Sequence, residues 1–151
     1  MRWQADMDLE HCIGTTCTSV EIGKDKYLTE VRSSGHNLIA DEPIASGGKD
    51  LGMNPNELLL ASLGTCTAMT LRMYADRKEW PVDQICVDLT MDIVKGNGQQ
   101  TTYIKRHIRI EGKLEDIQRQ RLLEIADKCP LHRIITNSIV ITSNLMPVKA
   151  E

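Results

Sequence analysis

Two cysteines stand where their sulfurs could carry out redox chemistry. Cys66 lies inside "LASLGTCTAMTLRMYADRKEW", and Cys129 begins "CPLHR". A thiolate attacks a peroxide to give a sulfenic acid, and a second thiol condenses with that acid to a disulfide, which an external dithiol reduces. The disulfide requires Cα atoms about 4.4–6.8 Å apart. The hypothesis that Cys66 pairs with Cys129 therefore predicts that their Cα atoms lie within this range.

Cys129 has the stronger electrostatic case for being a thiolate. Pro130 suits the first position of a helix, which places Cys129 at the N-cap, beside unpaired N–H groups and the positive end of the helix dipole. His132 and Arg133 follow within one turn. Such surroundings lower a thiol pKa from about 8.5 into the range of about 3.5–7.5. The alternative interpretation is a neutral capping residue.

Cys66 lies about three turns inside its predicted helix, where the dipole has little effect. Its thiol is either a small, inert core residue or a nucleophile activated by a group from another element. Gly64, two residues earlier, costs about 1 kcal/mol of helix propensity relative to Ala. That cost indicates close approach of another backbone or of a ligand.

The helix that carries Cys66 is predicted over about residues 55–78. Asn54 is a good N-cap, Pro55 fits the first helical position, and Glu57 completes a capping-box pattern. A catalytic role for Glu57 is the alternative. Apolar side chains surround most of the axis, which is typical of a central helix and makes a dimer plausible.

The remaining elements form an α+β pattern. Short antiparallel strands with tight turns are predicted within 19–43, and a glycine-rich loop follows. A strand over 85–93, with alternating apolar residues, pairs in a hairpin with a strand near 101–112. An amphipathic helix over 114–129, a short helix from Pro130 and a last strand over 140–146 complete a single domain predicted over 1–151.

Composition limits the possible partners and location. The chain has 151 residues with 41% apolar and 26% charged residues and a net charge of −3. The charge gives no basic footprint for nucleic acid, and no apolar run approaches the ~20 residues of a membrane span. The acidic start does not fit a signal peptide, so we expect a cytoplasmic protein. An odd number of cysteines in the reducing cytoplasm argues against a fold held together by structural disulfides.

The other thiols carry weaker signals. Cys86 falls on the polar face of its predicted strand. The segment "EHCIGTTC" offers three possible metal ligands: His11, Cys12 and Cys17. Cys129 and His132 also have ligand-like spacing, but neither group has the second close pair of a structural zinc site. We expect no metal and no cofactor.

The segment "GGKDLGMNPNELLLASLGTCTAMTLRMYADRKEWPVDQICVDL", followed by "KCPLHR", resembles the OsmC/Ohr superfamily of osmotically inducible and organic hydroperoxide resistance proteins. It is most similar to the OsmC-like branch of predicted redox proteins, from about residue 36 to the end. The resemblance implies an intertwined α+β homodimer, with antiparallel sheets wrapped around long central helices and active sites at the interface. It also implies that Cys66 is the peroxidatic thiol and Cys129 the resolving thiol.

The chain departs from that family pattern at two positions. The resemblance implies a glutamate ten residues before the reactive cysteine, where this chain has Asn56; Glu57 lies one step along, about 100° round the helix. It also implies an arginine near "CIGTTC", which contains none. Three arginines are candidates to replace it: Arg32, Arg72 and Arg133.

The sequence thus predicts a cysteine-based peroxidase with peroxiredoxin-type chemistry, which reduces organic hydroperoxides through Cys66 and Cys129. Its expected partners are a second copy, an external dithiol reductant and a small hydroperoxide, with no nucleic acid and no membrane. The alternative is a non-catalytic dimer that binds a small apolar ligand or senses redox state. A third possibility is a stable core whose cysteines never react.

Overall fold

The computed structural model describes residues 16–145 and has an α+β architecture. By its internal contacts the chain divides into two compact units, Met1–Leu58 and Leu59–Glu151. The boundary falls in the first turns of a long helix. The single domain over 1–151 stays a prediction.

The first unit contains a three-stranded antiparallel sheet, β1 (Ser19–Ile22), β2 (Thr29–Ser33) and β3 (His36–Ala40), in the order β1-β2-β3. Ser34 and Gly35 join β2 to β3 with positive φ values of 49° and 81°. Two positive φ angles are what a two-residue hairpin turn needs to match the strand twist. The short strands and tight turns predicted within 19–43 are confirmed.

The glycine-rich loop after β3 is organised around the buried carboxylate of Asp41. This side chain accepts hydrogen bonds from the backbone N–H groups of Glu42 at 2.8 Å, Lys49 at 3.0 Å and Leu51 at 3.2 Å. Burial alone would raise the pKa of Asp41, but these donors outweigh it and lower the pKa. A short 3₁₀ helix, Ile44–Ser46, lies within the same loop.

The long helix α1 runs over Pro55–Arg77, close to the predicted range. Asn54 and Glu57 form the predicted capping box: the Asn54 N–H donates to Glu57 Oε2 at 2.9 Å, and the Glu57 N–H donates to Asn54 Oδ1 at 3.0 Å. The Glu57 carboxylate therefore serves the helix start, as the structural interpretation predicted.

In the second unit, α1 is followed by a long hairpin, β4 (Val82–Gly96) and β5 (Gln99–Gly112), and then by α2 (Asp116–Ala126) and α3 (Pro130–Thr136). The two strands pair antiparallel along nearly their full length. The hairpin and both later helices were predicted. Glu115 and Gln118 form a capping box at the start of α2.

The core of this unit lies where α1 and α2 pack against the base of the hairpin. Its buried side chains are Leu71, Ala75, Val82, Leu122, Ile125 and Ala126. Burial of such side chains is the main favourable contribution to folding. The packing also fixes the end of α2, and with it the start of α3, beside α1.

Only one stripe of α1 is buried in the single chain: Leu63, Gly64, Thr67, Leu71 and Ala75. Met69 is 58% exposed and Met73 is 70% exposed. In the single chain one α2 helix and one hairpin cover a single face of α1, so enclosure of this helix on most sides, which requires a second copy, stays a prediction. By length and composition α1 could also cross a membrane, a test that core helices pass as well.

The predicted last strand over 140–146 is wrong for the part that the structure describes. Residues 138–145 contain neither helix nor strand. A β-strand needs a neighbouring strand to form its ladder of hydrogen bonds. Within residues 16–145 no strand pairs with this segment, and Val140 and Ile141 are 88% and 84% exposed.

A candidate thiol-pair active site

The structure brings Cys66 and Cys129 together, with their sulfurs 2.8 Å apart and sharing a hydrogen bond. Both are free thiols. Cys129 is completely buried, whereas Cys66 is partly exposed. The two sulfurs are therefore close enough to form the disulfide that the redox hypothesis needs, and one residue of the pair is partly exposed.

Two local features position Cys129. It is the N-cap of α3, with Pro130 at the first helical position, as predicted. The preceding helix α2 ends at Ala126, which is fully buried in the core. Because only Asp127 and Lys128 separate Ala126 from Cys129, the packing of α2 on α1 fixes the sulfur against α1.

The start of α3 also contacts Cys66. The backbone N–H of Leu131 donates a hydrogen bond to Cys66 Sγ at 3.4 Å. This N–H is one of the donors that the first turn of a helix leaves without an intrahelical partner. The same helix end thus faces both sulfurs.

The two thiols have opposite pKa shifts. Burial, followed by the hydrogen bond with Cys129, raises the pKa of Cys66. Burial by itself would raise the pKa of Cys129, but hydrogen bonds from Cys66, from the backbone N–H groups of His132 and Leu131 and from Thr67 together lower it. An anion held by several donors is favoured. The pair therefore favours a Cys129 thiolate that accepts from a protonated Cys66.

Gly64 allows the hairpin to approach the helix near Cys66. A Cβ atom at Gly64 would lie 2.8 Å from Leu89 Cδ1 of β4. The close approach that the glycine indicated is confirmed, but the neighbour is a side chain rather than a backbone or a ligand.

Arg106 of β5 was missed from the sequence. Its Nη1 atom donates to Thr67 Oγ1 at 2.9 Å and to the Ala126 carbonyl at 3.2 Å, and its Nη2 atom donates to Asp127 Oδ1 at 2.7 Å. Only 11% of its side chain is exposed. The available signal was its position within "YIKRHIRI", where it shares the inward-facing register with Ile104 and Ile108.

The three arginines suggested from the sequence have other neighbours. Arg72 donates to the carbonyls of Val82 and Asp83. Arg32 pairs with Glu30 in the first unit. Arg133 is exposed on α3. Within residues 16–145 no hydrogen bond or ion pair joins Arg72 or Arg133 to either sulfur, and a role for these arginines beside the thiols stays a prediction.

The other predicted ligands and thiols lie apart from the pair. Cys86 is a free thiol whose sulfur accepts from Gln84 Nε2 at 3.4 Å. Cys17 is disulfide-bonded, in contrast to the reduced state expected for it. His11 and Cys12 lie outside the described residues. Between residues 16 and 145, no group of three or more His, Cys, Asp or Glu is arranged to hold a metal.

A cavity of about 280 Å³ lies between β5 and α2. Its lining residues are Ile108, Ile110, Asp116, Arg119, Gln120 and Leu123. Neither cysteine of the pair contributes to it, so this cavity is separate from the thiol pair.

A family model described as OsmC-like protein matches residues 47–144. This range includes both cysteines of the pair, together with Thr67 and Arg106. No curated protein sequence matches the chain.

Several solved structures share the fold. An OsmC-like protein from Mycoplasma pneumoniae has a TM-score of 0.71 at 16% identity, covering 82% of this chain and 89% of that one. An osmotic stress induced and detoxification response protein from Psychrobacter arcticus has a TM-score of 0.68 at 21% identity, covering 80% and 88%. An organic hydroperoxide resistance protein from Legionella pneumophila has a TM-score of 0.62 at 20% identity, covering 82% and 90%.

Proposed function

The chain belongs to the OsmC-like protein family, and from this premise we propose that it is a thiol peroxidase that reduces organic hydroperoxides through Cys66 and Cys129. The observation that carries the proposal is the 2.8 Å separation of the two sulfurs. A free thiol pair at this distance, with one member partly exposed, can be oxidised by a small molecule and closed to a disulfide.

Cys66 is the sulfur that meets the peroxide, because it is the exposed member of the pair. Its raised pKa keeps it protonated, so it needs a base. Cys129 is that base: its lowered pKa favours the thiolate, its sulfur lies within hydrogen-bond distance, and the residue is shielded from solvent. As the Cys66 sulfur attacks the outer peroxide oxygen, its proton passes to Cys129.

The same proton then serves the leaving group. The O–O bond breaks, the alkoxide takes the proton from Cys129 and leaves as the alcohol, and Cys66 becomes a sulfenic acid. Cys129, again a thiolate, attacks the Cys66 sulfur and expels hydroxide, which takes a proton from solvent to become water. One hydroperoxide is reduced to alcohol and water while two thiols are oxidised to one disulfide.

The partners follow from this cycle and from the relatives. An external dithiol must reduce the disulfide in each turnover. The relative from Legionella pneumophila is named an organic hydroperoxide resistance protein, which supports a hydroperoxide substrate for this chain. We include a homodimer in the proposal because α1 leaves Met69 and Met73 exposed, and we place the protein in the cytoplasm, where dithiol reductants operate.

The test is a count of free thiols before and after addition of one equivalent of cumene hydroperoxide, followed by mass mapping of the disulfide. Wild-type protein should lose two thiols per chain and yield a Cys66–Cys129 peptide pair. Cys66→Ser should abolish the reaction, and Cys129→Ser should react slowly and stop at a sulfenic acid. Cys86→Ser is the matched control and should behave as wild type. Retained turnover in Cys66→Ser contradicts the proposal.

The alternative is a non-catalytic dimer that binds a small apolar ligand or senses redox state. The presence of Asn56 at the family's glutamate position and the raised pKa of Cys66 favour it. Calorimetric uptake of cumyl alcohol in a fixed ratio, with no loss of thiols to cumene hydroperoxide, would support ligand binding. Slow labelling of both thiols in native protein would instead indicate cysteines that do not react.

A further inference from the structure

We propose that Arg106 is a positioning residue that acts through the Thr67 hydroxyl and holds the Cys129 sulfur as the proton acceptor facing Cys66. This inference rests on the proposed thiol cycle, and it assigns that cycle two residues outside the cysteine pair. It starts from a chain of contacts that links β5 to α1 and then to the start of α3.

The first contact fixes the arginine. Arg106 is held at three points, by the Thr67 hydroxyl, the Ala126 carbonyl and the Asp127 carboxylate. A guanidinium is planar and only donates hydrogen bonds, so three acceptors around it define its orientation. Because Ala126 and Asp127 end α2 and lie just before Cys129, the same arginine also anchors the connection that carries the sulfur.

The second contact directs the threonine hydroxyl. Thr67 is completely buried, and its oxygen accepts from Arg106 at 2.9 Å. A hydroxyl has one hydrogen to donate. Since Arg106 occupies a lone pair, that hydrogen can only point away from the arginine. In the structure the hydroxyl donates to the Leu63 carbonyl at 2.8 Å. The second acceptor is the Cys129 sulfur, which lies 2.8 Å from the sulfur of Cys66, the residue before Thr67, and whose pKa the hydroxyl lowers.

The choice between the two acceptors depends on the charge of Cys129. A hydrogen bond to a thiolate is charge-assisted and stronger than one to a neutral carbonyl. The Leu63 carbonyl can release the hydroxyl at little cost, because within α1 it also accepts the backbone N–H of Thr67, four residues on. The Thr67 hydroxyl can therefore rotate to Cys129 when that sulfur is ionised and return to Leu63 when it is not.

The arginine strengthens this response. A cation that donates to the hydroxyl oxygen polarises the O–H group and makes it a better donor, an effect that low polarity around the site increases. Removing Arg106 should therefore weaken the hold on the anion even though no bond from Arg106 to either sulfur is seen. The Arg106 cation on β5 thus acts on the thiol pair indirectly, through the Thr67 hydroxyl.

Other groups near Cys129 must be separated from this effect. The titratable and charged residues that are bonded to it or near it in sequence come from four places, namely Cys66 on α1, Arg106 on β5, Asp127 and Lys128 before α3, and His132 with Arg133 on α3. Asp127→Asn removes the ion pair of Arg106 and leaves its bond to Thr67. His132→Gln removes the imidazole while leaving the arginine, the hydroxyl and both sulfurs.

The experiment is a pH titration of the thiolate by ultraviolet absorbance in the full-length reduced protein, with Cys129→Ser used to assign the Cys129 step. Arg106→Gln and Thr67→Val should each raise the midpoint of that step by about one pH unit, a tenfold fall in the thiolate-to-thiol ratio. The double variant should show no larger shift, because the two residues act in series. Thr67→Ser, Asp127→Asn and His132→Gln should stay near wild type, and Arg106→Lys should fall in between.

Several results would overturn the inference. They are an unchanged midpoint in a folded Thr67→Val or Arg106→Gln protein, equal shifts in Thr67→Ser and Thr67→Val, and a lowered melting temperature in Arg106→Gln without a titration shift. The proposed function can fail independently of this inference. If the variants shift the Cys129 titration as expected but cumene hydroperoxide consumes no thiols, the role of Arg106 and Thr67 is supported and the peroxidase function is contradicted. If the protein reduces peroxide but the variants leave the titration unchanged, the peroxidase function is supported and the role of Arg106 and Thr67 is contradicted.

Discussion

The sulfurs of Cys66 and Cys129 lie 2.8 Å apart, yet only Cys66 reaches solvent. The buried member is the one whose pKa is lowered, and the accessible member is the one whose pKa is raised. Cys129 is therefore the more acidic thiol, and Cys66 is the more accessible one. A reaction at this site needs both, which is why a proton transfer between them is central to the proposed cycle.

The pH dependence of peroxide reduction should follow the ionisation of Cys129. Because its folded pKa is lowered, the rate should rise with pH and reach half its maximum at a lower pH than the ionisation of an ordinary thiol would give. Cumene hydroperoxide consumption in a single turnover of the reduced protein, measured across pH, gives the profile. In Cys129→Ser the rise should move to higher pH, since Cys66 must then ionise without its base. The same profile in both proteins would contradict this division of roles.

The lowered pKa of Cys129 also predicts a stability change with pH. The native state releases this proton more readily than the unfolded chain, so the contribution to stability is present above the unfolded pKa and is lost as pH falls through the folded pKa. Urea unfolding of wild type and Cys129→Ser at several pH values should show their difference in unfolding free energy growing as pH rises through that window. A constant difference would show that the shift is absent.

Glu57→Gln should leave peroxide turnover within twofold of wild type, because the Glu57 side chain bonds the Asn54 N–H and an amide oxygen can accept the same bond. Asn54→Ala should lower the unfolding free energy by about 1 kcal/mol through loss of the cap. Steady-state kinetics and urea melts check the two variants. A large loss of turnover in a fully folded Glu57→Gln protein would return Glu57 to the catalytic candidates.

Gly64→Val should destabilise the protein by about 1–3 kcal/mol, because the added atoms must displace Leu89 from the helix surface. Gly64→Ala should be close to neutral, since a gain of about 1 kcal/mol in helix propensity offsets the contact. Adding Leu89→Ala should reduce the cost of the valine, and a double-mutant cycle in urea measures that coupling. Independent effects of the two substitutions would contradict the contact.

Leu122→Ala should cost about 2–5 kcal/mol of unfolding free energy, because Leu122 is completely buried between α2 and its neighbours. Leu123→Ala is the matched control: the adjacent leucine is 53% exposed, and its loss should change stability by about 0.5 kcal/mol or less. Equal losses in the two variants would show that a partner covers Leu123 in solution.

The features that were predicted from the sequence are those that local chemistry determines. Asn54 and Glu57 identify the start of α1, and Pro130 identifies the start of α3 and so the place of Cys129. The alternation in β4 predicted its half-buried face and its hairpin with β5. These signals depend on neighbours within a few residues.

What was missed depends on residues far apart in the chain. Arg106 meets Thr67 from 39 positions away, so its role is visible only once β5 packs on α1. The exposure of Met69 and Met73 depends on how much chain is available to cover α1. The segment after α3 has the composition of a strand, but composition alone does not show whether a neighbouring strand is available to pair with it.

The short distance between the two sulfurs has a further consequence for damage. A sulfenic acid that meets a second peroxide is carried on to sulfinic acid, which most cells do not reverse. In the proposed cycle the competing thiol is already in contact, so ring closure would be intramolecular and should outpace a collision with dilute oxidant. The cycle therefore predicts that tolerance of excess peroxide depends on the packing between α1 and α3.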